Sequence, residues 1–175
     1  PPPSWLGPFD VERVLERAHP LPRATRVLVS GMDVQPGRSR RSLPDASWIF
    51  SLDQIERARP FLATEMNGAP LTKVHGAPVR LIVPRWYGCA SIKWVTGIEF
   101  VDEDAASTPH MREFARRTHQ DGMPARASDF KAASIDQAAM PVRVEKWLVN
   151  GSIRHRVVGI VWGGDRITDS LQIGF

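Results

Sequence analysis

Hydrophobic and polar positions alternate along this chain in two different textures. Behind Asp10, a good N-cap, Val11, Val14, Leu15 and Ala18 recur at helical spacing, which predicts a short amphipathic helix from Asp10 to His19. The β-branched run Thr25 to Ser30 predicts a buried strand, and Trp48 to Phe50 a shorter one. Ser51 and Gln54 have the spacing of a capping box, which starts a helix that runs to about Arg59. Phe61 to Met66 reads as a strand that ends at the Asn67-Gly68 turn. Strands are also expected at Val79 to Val83 and Ile92 to Val101, with a helix near Met111 to Thr118 and irregular chain from Gln120 to Ala133. Near Met140 the texture changes. Pro141 to Val149, the Asn150-Gly151 turn, Ile153 to Trp162, the Gly163-Gly164-Asp165 turn and Ile167 to Ile173 predict a three-stranded antiparallel meander.

Composition narrows this picture only a little. A 42% hydrophobic share over 175 residues supports a packed core. The net charge of +4 favours anionic partners without choosing among nucleic acid, phosphate and small oxyanions. A single cysteine, Cys89, excludes an internal disulfide and argues against a cysteine-built zinc site. The apolar runs are too short to span a bilayer as helices. The opening PPPSWLGPFD has neither the basic nor the apolar region of a signal peptide, and without an initiator methionine it reads as the middle of a longer protein.

The stretch His75 to Trp94, HGAPVRLIVPRWYGCASIKW, carries the most chemistry. His75, Arg80 and Lys93 sit among residues that otherwise read as core, where a cation is costly without an anion or an acceptor. Two readings follow: one wall of an anion- or cofactor-binding cleft, or cations that snorkel to the surface. Ser91 and Lys93 share strand parity, which would point both to one face. Asp33 follows a strand and a Gly-Met step, a place for a ligand-binding carboxylate or for ordinary turn capping. Arg38, Arg40 and Arg41 could clamp an anion or form a solvated charge run. Cys89 reads as a buried structural thiol, with a nucleophile or metal ligand as the alternative. His19, His110, His119 and His155 show no metal-ligand spacing.

Three segments go beyond such inference. EMNGAPL (Glu65 to Leu71), HGAPVRLIVPRWYGCASIKWV (His75 to Val95) and VVGIVWGGDR (Val157 to Arg166) together resemble the sulfite oxidase family of molybdopterin enzymes. SWLGPFDVERVLERA (Ser4 to Ala18) resembles a further segment of the same family. The resemblance implies an α+β fold. Residues 1–139 would form the C-terminal part of a molybdopterin-binding oxidoreductase domain, a mixed sheet with short helices. Residues 140–175 would start an immunoglobulin-like β-sandwich dimerisation domain.

It also implies a molybdenum-molybdopterin cofactor. His75 and Arg80 match the family's cofactor-phosphate and pterin contacts. Ser91, Ile92 and Lys93 match a segment that holds the pterin, and Asp33 resembles a carboxylate that contacts the cofactor. The implied activity is oxo transfer to sulfite or a related small oxyanion, with an electron acceptor such as a c-type cytochrome, a possible homodimer, and a periplasmic or else cytoplasmic location.

Departures from the family pattern are equally specific. The molybdenum-ligating cysteine is expected upstream of Pro1, so none of these residues is assigned as a metal ligand. Phe130 stands where the family has a catalytic tyrosine, and Arg85 where it usually has glycine. The alternative is therefore an incomplete or non-catalytic cofactor-binding or dimerisation fragment. A third reading, a basic nucleic-acid-binding module, rests on a pI near 9.8 and on Trp86, Tyr87 and Trp94 beside Arg and Lys.

Overall fold

The structure is a computed structural model that describes residues 5–6, 9–32, 46–164 and 168–172. Asp33 and the cluster Arg38, Arg40 and Arg41 lie outside the described residues. The chain divides into two compact units, Pro1–Ala133 and Ser134–Phe175.

In the first unit the elements follow in the order β1 (Trp5–Leu6), β2 (Phe9–Asp10), α1 (Val11–Arg17), β3 (Arg26–Gly31), β4 (Ala46–Ser51) and α2 (Leu52–Ala58). Next come β5 (Phe61–Ala63), β6 (Glu65–Met66), β7 (Ala69–Pro70), β8 (Arg80–Ile82), β9 (Val95–Val101) and α3 (Pro109–Phe114). A mixed sheet was expected; every strand pairing among the described residues is instead antiparallel, in small separate sheets ordered β1-β6-β7, β2-β5-β8 and β4-β3-β9. The fold is thus α+β, built of short helices and several three-stranded sheets.

β3 is the centre of the largest sheet. It pairs with β4 from Arg26↔Ser51 to Gly31↔Ala46 and with β9 from Arg26↔Val101 to Gly31↔Val95. β3 is paired along both edges, and Val27 and Val29, two apart and so on one face, are fully buried in the core. The core gathers Val11 and Leu15 of α1, Trp48 and Phe50 of β4, Ile55 of α2, Leu81 of β8, and Ile92, Met111 and Phe130.

Local chemistry ends these elements where the residues predict. Ser51 Oγ accepts the Gln54 N–H at 3.1 Å and Gln54 Oε1 accepts the Ser51 N–H at 3.0 Å, completing the capping box. Asp10 occupies the N-cap of α1 but makes no side-chain capping bond, so its extended backbone alone starts that helix. The run Phe61 to Met66 is broken into β5 and β6, because the chain changes sheets after Ala63. Arg85, at the position expected as glycine, takes φ +64, and its guanidinium Nη2 donates to the Arg57 carbonyl at 3.1 Å.

At the far end of β3, Arg26 is buried and forms a two-pronged pair with Glu103: Nε to Oε2 at 3.1 Å and Nη2 to Oε1 at 2.6 Å. The Arg26 hydrogen bond, helped by the Thr25 hydroxyl at 2.9 Å, holds the Glu103 carboxyl below the usual carboxylate range. A depressed native pKa contributes stability above the unfolded value, and that contribution is lost as pH falls through the native value. The melting temperature of Glu103→Gln is therefore expected below wild type at pH 7, with the gap closing as pH drops through the acid range. Because the Glu103 side chain is 60% exposed, water screens the pair and the gap is small. A gap that does not change with pH would show that the pair acts through shape alone.

The second unit contains β10 (Ala138–Val149) and β11 (Ser152–Trp162), paired from Ala138↔Trp162 to Val149↔Ser152 with a bulge between Pro141 and Arg143. Asn150 and Gly151 have φ of +49 and +77, the left-handed pair that a tight hairpin requires. The expected third strand is not formed: residues 168–172 are not in a strand, and the described sheet has two strands. Residues 165–167 and 173–175 lie outside the described residues. The short return chain is held by a side-chain bond from Gln137 Nε2 to Thr168 Oγ1 at 2.6 Å.

Candidate functional site

The segments that carry His75, Arg80 and Lys93 meet in the first unit. β8 runs beside residues 92–95 through two backbone bonds, Leu81 N–H to the Ile92 carbonyl at 2.7 Å and Val95 N–H to the Val79 carbonyl at 3.1 Å. The Met32 N–H donates to the Trp94 carbonyl at 3.0 Å, so the exit of β3, which leads into Asp33, joins the same ladder. Across this ladder lies a 3-10 turn, Lys73–His75, capped by Gly76.

Gly76 is the point of closest approach. Its φ of +102 favours glycine, and a Cβ there would lie 3.1 Å from Lys93 Cβ and 3.2 Å from both Arg80 Cβ and Lys93 Cγ. The stems of both cations therefore pack on this glycine. Three successive carbonyls of the turn are each met by a side chain from the ladder. Trp94 Nε1 donates to Lys73 at 2.9 Å, Lys93 Nζ to Val74 at 2.8 Å, and Arg80 Nη1 to His75 at 3.1 Å.

His75 is half-buried, with Nδ1 2.8 Å from the Thr72 hydroxyl. If that hydroxyl donates to Nδ1, Nε2 carries the ring proton and can give it to an acceptor. Burial pulls the Arg80 guanidinium below its ordinary pKa, the direction expected of a cation drawn out of water. The group is neither a freely solvated surface arginine nor a fully enclosed one.

Ser91 and Lys93 do not share a strand face. β9 begins only at Val95, Ser91 caps a second 3-10 turn (Gly88–Ala90), and Lys93 lies in a bend. The parity argument fails because the left-handed backbone of Trp94, φ +49, interrupts the strand. Ser91 Oγ accepts the Val83 N–H at 3.1 Å and so lies at the end of the ladder away from the Lys93–Val74 contact. Ile92 is buried, and it contributes its carbonyl to the ladder. The structure thus brings His75, Arg80 and Lys93 around one glycine, places Ser91 apart, and uses Ile92 as support. Thr72, which the sequence does not mark, and Trp94, marked there only as an aromatic for nucleic-acid binding, complete the arrangement. The Trp94 indole and the Gly76 left-handed turn had no readable signal beyond their place beside Lys93 and His75.

The remaining candidates are structural. Cys89 is half-buried, less enclosed than a core thiol, and burial pushes its pKa up to about 11, so at neutral pH it is protonated and a poor nucleophile. Its carbonyl meets His110 Nε2 at 2.9 Å. Phe130 is buried and meets the edge of Trp48 at 6.5 Å between ring centroids. Trp86 is buried against Phe50 at 5.6 Å, which removes it as a platform for base stacking. Among the described residues no group of three or more His, Cys, Asp or Glu side chains could hold a metal ion. No helix among them is long and apolar enough to cross a membrane. A groove of about 630 Å³ is lined by Phe9, Arg13, Val14, Glu16, Arg17 and Leu62 and includes none of the site residues.

Comparison with known proteins places this geometry in a lineage. The model of the oxidoreductase molybdopterin binding domain matches residues 3–109. The protein-methionine-sulfoxide reductase catalytic subunit MsrP of Xanthomonas campestris is 36% identical over 106 residues, covering 57% of this chain and 32% of that protein. Mitochondrial sulfite oxidase of Rattus norvegicus is 38% identical over 111 residues, covering 63% of this chain and 20% of that protein. NADPH nitrate reductase of Aspergillus niger is 29% identical over 107 residues, covering 61% of this chain and 12% of that protein. The chain therefore spans about a third or less of these relatives. The sulfane dehydrogenase SoxCD of Paracoccus pantotrophus shares the fold, with a TM-score of 0.55 at 19% identity over 89% of this chain and 36% of that one. With a family model that matches more than half of its length, the chain belongs to the oxidoreductase molybdopterin binding domain family.

Proposed function

We propose that this chain binds and orients the molybdopterin cofactor of an oxidoreductase that transfers an oxo group to sulfite or a related small substrate. The observation that carries the reading is the packing of the Arg80 and Lys93 stems on Gly76, beside His75 in the chain, with both cationic heads on carbonyls of the same turn. The residues present fit the cofactor's organic half. A glycine without a Cβ lets two cationic stems approach the turn, and a guanidinium, an ammonium and an imidazole form a donor set suited to a phosphate.

When bound, the cofactor supplies two-electron oxo-transfer chemistry. The chain's own residues do the binding. Arg80 uses one terminal nitrogen on the His75 carbonyl and would bring its guanidinium charge to a bound phosphate. Lys93 Nζ has two protons beyond the one given to Val74. His75 offers Nε2. Asp33 would meet the pterin from the exit of β3, and Ser91 and Ile92 would act through the backbone that they hold in register.

The reading extends to the second unit. Residues 140–175 would open an immunoglobulin-like dimerisation domain, whose β10–β11 hairpin is the part described, and residues 1–139 would belong to the cofactor domain. A homodimer, a c-type cytochrome as electron acceptor and a periplasmic location complete it. An incomplete cofactor-binding fragment is the competing reading, favoured by Phe130 at the position where the family has a tyrosine.

Expression with molybdopterin supply, followed by metal analysis and pterin fluorescence of the purified chain, tests the proposal. Pterin is expected to copurify near one equivalent, and sulfite-dependent dye reduction would separate the enzyme from the fragment. A preparation free of both pterin and molybdenum would overturn the cofactor reading.

A further inference from the structure

The exit of β3, the His75 turn and the Lys93 bend come from separate parts of the chain, and Trp94 joins them through its backbone carbonyl and its indole. Trp94 accepts the Met32 N–H on its carbonyl at 3.0 Å and donates its indole Nε1 to the Lys73 carbonyl at 2.9 Å. Its ring lies 5.5 Å from Lys93 Nζ, within cation–π range. It does so from φ +49, a conformation unfavourable for a bulky residue and retained only where the surroundings enforce it.

The three donors that hold the Lys73–His75 turn are not equivalent. Arg80 and Lys93 are cations, and an arriving anion competes with the turn carbonyls for their protons. The indole is neutral and is the weaker partner for an anion. The Lys73 carbonyl also accepts the Gly76 N–H at 3.1 Å, so the indole braces the peptide on which both cationic stems pack.

We propose that Trp94 is a positioning residue of the anion site: its indole N–H keeps the His75 turn in place while Lys93 and Arg80 turn from the carbonyls to a bound phosphate. This deepens the cofactor-binding reading and rests on it. Trp94 itself touches no ligand in this scheme.

The test compares wild type with Trp94→Phe and with benzothienylalanine at position 94, which keeps the bicyclic shape and lacks the N–H. Thr96→Val, which removes a neighbouring bond to the Ser30 carbonyl, is the control for a merely structural loss. Without ligand, the Gly76 amide is expected to exchange about tenfold faster in both position-94 variants, and the His75 ring nitrogen signals to shift. Affinity for pyrophosphate, read by NMR titration, is expected to fall about five- to tenfold, the size of one lost hydrogen bond. Thr96→Val should lower the melting temperature and leave these readouts unchanged. If Trp94→Phe does not fold, the benzothienyl protein carries the same measurements. Variants whose Gly76 exchange and His75 signals match wild type overturn the positioning role, whatever pyrophosphate does. A wild-type protein in which pyrophosphate moves none of His75, Arg80 or Lys93 removes the anion site itself, and the proposal with it.

Discussion

Gly31→Ala is expected to destabilise the protein by about 3 kcal/mol or more, at the upper end of the overpacking range. Gly31 ends β3, where it pairs with Ala46 on one side and Val95 on the other. A methyl group there would overlap the Lys93 carbonyl oxygen, lie 2.5 Å from Ile92 Cγ2 and reach 3.2 Å from the Trp94 carbonyl. Two of these three neighbours are backbone, and the third belongs to a buried side chain in the core. None can swing away, so the ladder from Leu81 to Ile92 must shift. Chemical denaturation should show a lower midpoint with an unchanged slope if the fold survives. A midpoint near wild type would mean that residues 92–94 are looser than their hydrogen bonds indicate. The backbone angle at Gly31 is ordinary, so this glycine is needed for space and not for conformation.

The second large effect concerns binding. Lys93→Met and Arg80→Met are each expected to weaken pyrophosphate, and the molybdopterin it stands in for, by roughly ten- to a hundredfold, equivalent to losing a charge-assisted hydrogen bond of about 1.5–3 kcal/mol. Methionine keeps much of the apolar stem that packs against Gly76, so the loss reports on the charge and its donors. Each substitution also removes one bond to the turn, from Lys93 to Val74 or from Arg80 to His75. Some loss of stability is therefore expected alongside. The double variant should lose less than the sum of the single losses, since both cations serve one anion and one turn. Calorimetric titration checks the size, and strictly additive losses would show that the two cations do not share a ligand.

Much of this molecule was legible without coordinates, and the reason differs by element. The Ser51 capping box and the Asn150-Gly151 hairpin were readable because they are local, with residues a few positions apart completing each other's bonds. β3 was readable because its run of β-branched and apolar residues, Val27 to Val29, has the composition of a buried strand. The strand ends near the site were not readable. Val79–Val83 and Ile92–Val101 look like two strands, yet the first shortens to Arg80–Ile82 and the second begins at Val95. What interrupts the second is Trp94, held in a left-handed conformation by Met32 and Lys73, neither of which is its neighbour in sequence. The same event overturns the shared face of Ser91 and Lys93. In the tail, residues 168–172 are not in a strand: alternation permits a strand but does not by itself supply the pairing.

By itself, then, the amino-acid sequence determined the α+β class, the separate hairpin near the C-terminus, and membership in a molybdopterin-binding family through motifs long enough to be specific. It also determined which residue types could meet an anion. Tertiary structure alone decided which of them meet. Arg80 and Lys93 meet on the His75 turn because Gly76 there is left-handed and has no Cβ, and because Gly31, without a side chain, lets the end of β3 press against residues 92–94. Those contacts join residues far apart in the chain, and their geometry depends on backbone packing that no local pattern encodes.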